Sequence, residues 1–239
     1  MKPQNKILNN LGLVLFFTFI LLGIIFFASL VWPNMESNFY FGFNQGAETK
    51  LQLFCPHILT LQDSSSITAS VTNKVDQPIS PTFQALISGP VFQNVQTQPS
   101  IDPGQTLKVK WPVNGDNIIF GHLIIARVYQ SSSYKTSTAT ANCGSLFLNL
   151  SGLTGTQIYV GVLMISLLGS TLGLILWAIA NRPLGRRSLE RLWGLILLGA
   201  VVVLGILLGT LGQWLLGTFA FFFSVLMFII LVSRRSVPA

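Results

Sequence analysis

The residues of this chain that could do chemistry are few. The sequence holds two cysteines and two histidines. Cys55-Pro56-His57 sets a thiol and an imidazole two positions apart, which is half of a metal site. A blue-copper centre needs a second histidine and a methionine shortly after a cysteine. After Cys143 no histidine follows, and the next methionine is Met164, inside an apolar run. A structural zinc site needs four ligands at tight spacing, and none is formed. Nucleophile chemistry is no better supplied: no G-x-S-x-G elbow occurs. No phosphate cradle of the G-x-x-x-x-G-K-[ST] or G-x-G-x-x-G kind is present. Carboxylates outside the apolar runs are isolated, and Glu36 is the only one close to such a run in the central region. The expectation is a protein that is not an enzyme and carries no cofactor or metal.

The elements around these residues are those of a membrane protein. Only 9% of the 239 residues are charged, against about 25% in ordinary soluble chains. Leu11 to Val31 is free of charge, as are Ile158 to Ala180 and all of residues 192–233. About 20 apolar helical residues cross a hydrocarbon core. The last stretch is long enough for two such crossings, broken at Gly209-Thr210-Leu211-Gly212-Gln213-Trp214, where two glycines suit a tight turn. The expected organisation is a tail (1–10), helix 1 (11–32), a β-domain (33–155), helix 2 (156–180), a basic loop (181–191), helix 3 (192–211), helix 4 (214–233) and a tail (234–239). Helix 1 reads as a retained signal-anchor rather than a cleaved leader, since no clear small-x-small site follows it.

The net charge of +7 is not spread like a nucleic-acid surface. From Trp32 to Thr156, Lys50, Lys74, Lys108, Lys110, Arg127 and Lys135 balance Glu36, Glu48, Asp63, Asp76, Asp102 and Asp116. The excess lies in Lys2 and Lys6, in Arg182, Arg186, Arg187 and Arg191, and in Arg234 and Arg235, opposed only by Glu190. Basic residues flanking apolar runs follow the positive-inside rule. They predict cytoplasmic termini, an extracytoplasmic region 33–155, and a prokaryotic cytoplasmic membrane as the setting. Nucleic acid is not an expected partner. Trp32, Trp177, Trp193 and Trp214 fall at predicted span ends, where an indole sits well in the headgroup layer, and they read as interface anchors.

The region between helices 1 and 2 reads as β-structure. Ile67, Ala69 and Val71 alternate with polar residues, and so do Leu107, Val109 and Trp111. Thr49–Phe54, Thr82–Ile87, His122–Tyr129 and Tyr134–Thr140 are further strand candidates, separated by turn residues such as Asp102-Pro103-Gly104 and Asn114-Gly115-Asp116. Six or seven short strands predict a β-sandwich that loosely resembles an immunoglobulin fold in architecture; no motif names a family. Cys55 and Cys143 bracket the predicted sandwich, and in an oxidising compartment a pair so placed forms a disulfide. Such a bridge is expected to tie the two ends of the domain together.

The spans carry no ionisable residue, which argues against a pump or ion-coupled carrier. Their hydroxyls, including Ser166, Ser170 and Ser224, can bond within their own helices. Gly169 and Gly173, and Gly205 and Gly209, each form a GxxxG pair that lets helices approach closely. Packing among the protein's own helices is expected of them, with docking onto a partner or a second copy as the other use. The functional expectation is a non-catalytic membrane subunit, a scaffolding or accessory component of a larger complex. Its partners would be other membrane-protein subunits or a second copy, within the lipid bilayer. Phe39–Phe43 and Val91–Pro99 are candidate contact segments. A homo-oligomeric transport or channel component is the first alternative, and a lipid-modifying membrane enzyme the second.

Overall fold

In the computed structural model residues 6–42, 51–131 and 138–233 are described, and they fall into two compact units: one of residues 1–31 and 159–239, the other of residues 32–158. Residues 1–5 and 234–239 of the expected tails, with Arg234 and Arg235, and the ends of two strand candidates at Thr49 and Tyr134 lie outside the described residues, whereas residues 6–10, expected in the first tail, are the opening turns of a helix.

The helical unit follows from uninterrupted apolar sequence. Helix α1 spans Lys6–Phe41, α2 Gly155–Ala180, α3 Arg186–Thr210 and α4 Trp214–Ser233. Each is long and apolar enough to cross a membrane. The first part of α1 is the hub: Phe16, Ile20, Ile24, Phe27 and Leu30 are all buried. Each other helix meets it. Gly173 of α2 lies against the Phe16 backbone, Gly205 of α3 faces the Phe27 ring, and Phe228 of α4 stands edge-on to Phe17 with ring centroids 5.5 Å apart. Polar groups among the apolar helices are satisfied, Ser224 within its own helix as expected but Ser166 across to α1. Ser166 Oγ donates to the Phe19 carbonyl at 3.0 Å, and Ser224 Oγ to that of Phe221 at 2.8 Å. The α3–α4 turn has Gly212 at φ +68, and Gln213 N–H donates to the Leu208 carbonyl at 2.9 Å. A left-handed glycine after a helix end is a common way to satisfy its last carbonyls.

The β-rich unit holds two sheets. One has the order β1(Gln52–Phe54), β3(Ser65–Thr72), β6(Thr106–Val113). The other runs β2(Ile58–Thr60), β8(Thr138–Leu148), β7(Leu123–Ser131), β4(Thr82–Ile87), β5(Gln93–Thr97). Pairing is antiparallel except between β2 and β8. Period-2 alternation sends Ile67, Ala69, Val109 and Trp111 from the first sheet, and Phe83, Ala85, Ile124, Ala126, Val128 and Phe147 from the second, into one buried cluster. Burying a side chain such as Phe83 contributes about 2–3 kcal/mol.

Four elements depart from the sequence expectation. Strand β8 does not stop near Thr140 but continues to Leu148, so Cys143 lies inside a strand rather than after the last one. Strands β2 and β5 carry no alternation: β2 is buried throughout, and β5 is polar and mostly exposed. Helix α1 does not end at Trp32. It runs on through Pro33 to Phe41. Proline lacks an N–H, so the Ser29 carbonyl loses its helical partner there.

Candidate functional site

The last turns of α1 and the second sheet form the most elaborate polar arrangement among the described residues of the β-rich unit. Asn34 Oδ1 accepts from Gly144 N–H at 3.2 Å, and Ser37 Oγ donates to the Ala126 carbonyl at 3.4 Å. Asn142 Nδ2 donates to Asn38 Oδ1 at 3.3 Å and to the Gly42 carbonyl at 3.0 Å. Arg127 donates to the Phe41 carbonyl, and its guanidinium stands 4.8 Å from the centre of the Tyr129 ring, a cation–π distance. Gly144 makes this approach feasible, because a Cβ there would collide with the Pro33 backbone. Beyond Asn38 the helix ends in an aromatic cluster. Tyr40 stacks on Phe92 at 5.5 Å and Phe41 meets it edge-on at 5.8 Å. Tyr40 is 50% exposed and neighbouring Val91 is 81% exposed. The segments Phe39–Phe43 and Val91–Pro99 are thus brought together as far as they are described, up to Gly42.

A second junction joins the start of α2 to the β2–β3 turn. Asp63 Oδ2 accepts from Thr60 N–H at 2.8 Å, Thr60 Oγ1 at 2.9 Å and Gly155 N–H at 2.8 Å. Gly155 opens α2, so Asp63 caps a helix from a distant part of the chain. A negative charge at a helix N-terminus meets both its unsatisfied donors and its dipole. No local pattern marks this pairing, since Asp63 and Gly155 lie far apart along the chain.

Cys55 and Cys143 form a disulfide with Cα atoms 6.0 Å apart. It links the short connection after β1 to the middle of β8. His57 follows in the same connection, and burial pushes its pKa below the ordinary 6.5. Among the described residues no group of three or more histidine, cysteine or acidic side chains could hold a metal ion.

The glycine pairs all face α1. A Cβ at Gly169 would enter the Phe19 ring, one at Gly173 the Phe16 backbone, one at Gly205 the Phe27 ring, and one at Gly209 would lie 3.1 Å from Leu30 Cβ. The tryptophans divide. Trp32 and Trp193 are 53% and 64% exposed, Trp214 is half-buried, and Trp177 is enclosed at 2%. Trp177 therefore packs within the bundle instead of presenting its ring outward as an anchor would. Arg182, Arg186 and Arg191 are exposed, and Arg186 pairs with Glu190 at 3.5 Å; of Arg187 only the backbone is described.

No family model matches this chain, and no curated protein is similar to it in sequence. Among solved structures, a Bacteroides uniformis β-glucuronidase is 14% identical with a TM-score of 0.32, over 41% of this chain and 13% of its own. B. uniformis β-glucuronidase 2, covalently bound to cyclophellitol-6-carboxylate aziridine, is 16% identical with a TM-score of 0.30, over 44% of this chain and 14% of its own. This chain thus spans a small fraction of the length of either.

Proposed function

We propose that this protein is a non-catalytic, multi-pass membrane subunit whose outer β-domain makes contacts with a partner protein. The observation that supports this reading is the surface built from Tyr40, Phe41, Val91 and Phe92 beside strand β5. Soluble domains rarely leave aromatic clusters of this kind uncovered without a use. Strand β5 is also an edge of its sheet, and Gln93–Thr97 contains no charge or proline to discourage another strand from pairing. An adjoining apolar cluster and open edge suit a partner that adds a strand and inserts a side chain beside it.

The two sheets with one shared core fit an immunoglobulin-like sandwich. The disulfide fits an oxidising compartment for this domain, which agrees with the positive-inside orientation: basic termini and the 181–191 loop in the cytoplasm, residues 33–155 outside. A prokaryotic cytoplasmic membrane suits this arrangement. The glycines facing α1 serve the internal packing of the helices in this reading, leaving partner contacts to the outer domain.

A photo-crosslinking residue at position 91, compared with one at Lys108 on the other sheet, tests this. The proposal expects one defined adduct from position 91 in native membranes and none from position 108. Equal adducts from both, or none from position 91, would contradict it.

A further inference from the structure

The outer face of the second sheet carries a groove of about 500 Å³ beside the end of α1's polar contacts. The strand registers set its floor. Gln96, Gln84, Tyr129 and Thr140 lie opposite one another across β5, β4, β7 and β8, in a single row. Thr82, Ser131 and Thr138 make the next row on the same face. All seven line the groove. With strands about 4.8 Å apart, the longer row extends about 14 Å.

We propose that this groove binds a short, uncharged oligosaccharide. Two carboxamides, four hydroxyls and a phenol face the groove without a formal charge. Each of these groups both donates and accepts hydrogen bonds, as every sugar hydroxyl does. None makes a side-chain hydrogen bond to another described residue, so their capacity is open to a ligand. Tyr129 adds an aromatic surface, held in place by Arg127 at 4.8 Å; an aromatic ring with a polar tip suits the mixed C–H and hydroxyl faces of a pyranose. The wet face of the first sheet differs: there β6 presents Lys108 and Lys110 to solvent. The two rows themselves carry no charge, and Arg127, against the Tyr129 ring, is committed to the Phe41 carbonyl. An extended peptide laid along the row would cross β4 and β7, whose amides are paired on both sides, and would meet open backbone only at the row's ends, on β5 and β8. The row instead has the reach of a few linked sugar rings.

The test uses the full chain in lipid nanodiscs, avoiding detergents with sugar headgroups. Cellotetraose, maltotetraose and chitotetraose are titrated by calorimetry and saturation-transfer NMR, with an uncharged pentapeptide as a competing probe. At least one tetrasaccharide is expected to bind saturably with Kd of about 1 mM or tighter, about −4 kcal/mol. The Q84A/Q96A double variant should weaken it at least tenfold, as should Thr140→Val, with melting temperatures and the disulfide unchanged; Lys110→Ala should leave it alone. If no tetrasaccharide binds saturably, if both groove variants bind as the parent does, or if only the peptide binds, the inference is wrong.

Discussion

Replacing Asp63 by alanine removes three hydrogen bonds that converge on one carboxylate oxygen. Thr60 N–H, Thr60 Oγ1 and Gly155 N–H all lie within 2.9 Å of it. Hydrogen bonds to a charged group contribute about 1.5–3 kcal/mol each in favourable cases. Asp63 is only half-buried, which lowers that figure, and bonds sharing one atom do not add. Loss of a capping side chain alone costs about 1 kcal/mol. Thr60 is buried, and its hydroxyl keeps a second bond to the Leu153 carbonyl at 2.9 Å, so the turn does not collapse entirely. Together these give about 2–3 kcal/mol. For a unit of this size, 1 kcal/mol moves the melting temperature by about 4 °C, so Asp63→Ala should melt about 10 °C lower. Asp63→Asn keeps an acceptor without the charge and should fall in between. Thermal unfolding followed by near-UV circular dichroism reads this, and hydrogen exchange at Thr60 and Gly155 locates it. A melting temperature for Asp63→Ala within about 1 °C of the parent would refute the capping role.

Four further outcomes follow. Gly144→Val drives a side chain into the Pro33 backbone; overpacking of this kind costs about 1–3 kcal/mol, visible as faster hydrogen exchange in Asn34–Asn38, whereas Gly115→Ala, with only Phe147 Cζ at 3.9 Å, should change little. Gly173→Leu separates α2 from α1 and should lower the thermal stability of the purified protein, while Gly161→Leu, with nothing within 4 Å, should not. Removing the disulfide with Cys55→Ser and Cys143→Ser frees a loop of sequence separation 88 and should cost about 4 kcal/mol, measured by denaturant unfolding of the β-rich unit. Burial lowers the His57 pKa, so the unfolded chain takes up a proton near 6.5 before the folded one does. Stability should decline as pH falls from about 6.5 toward that lowered value, and His57→Gln should flatten the decline.

Those parts of the fold that rest on repetition were legible in the sequence. Uncharged runs between basic residues mark the four long apolar helices, and α4 runs from Trp214 to Ser233 as its flanks indicate. Alternation marks β3, β4 and β6, where one side of each strand is buried. Elements set by tertiary contact carried no local signal. Strand β2 is three residues long and wholly buried, so it has no alternation to read. Strand β5 is polar apart from Val95 and mostly exposed, because an edge strand has little to cover. Helix α1 continues past Trp32 because Asn34, Ser37 and Asn38, poor helix formers in isolation, find partners on the second sheet. The same holds for the sites. Cys55 and Cys143 stood out as the chain's two cysteines, whereas the Asp63 cap and the rows of the groove depend on register between distant segments. Trp177 shows the limit of reading from position alone: a tryptophan at a span end can face inward as readily as outward.

The central claim is that the outer domain docks a partner through the surface at Tyr40, Val91 and strand β5. Native mass spectrometry after gentle extraction tests it directly, run on the parent and on a Val91→Asp variant that folds as the parent does. The account predicts that the parent migrates with a larger subunit at fixed stoichiometry and that Val91→Asp releases it. A parent that runs alone, or a complex that Val91→Asp leaves intact, would contradict it.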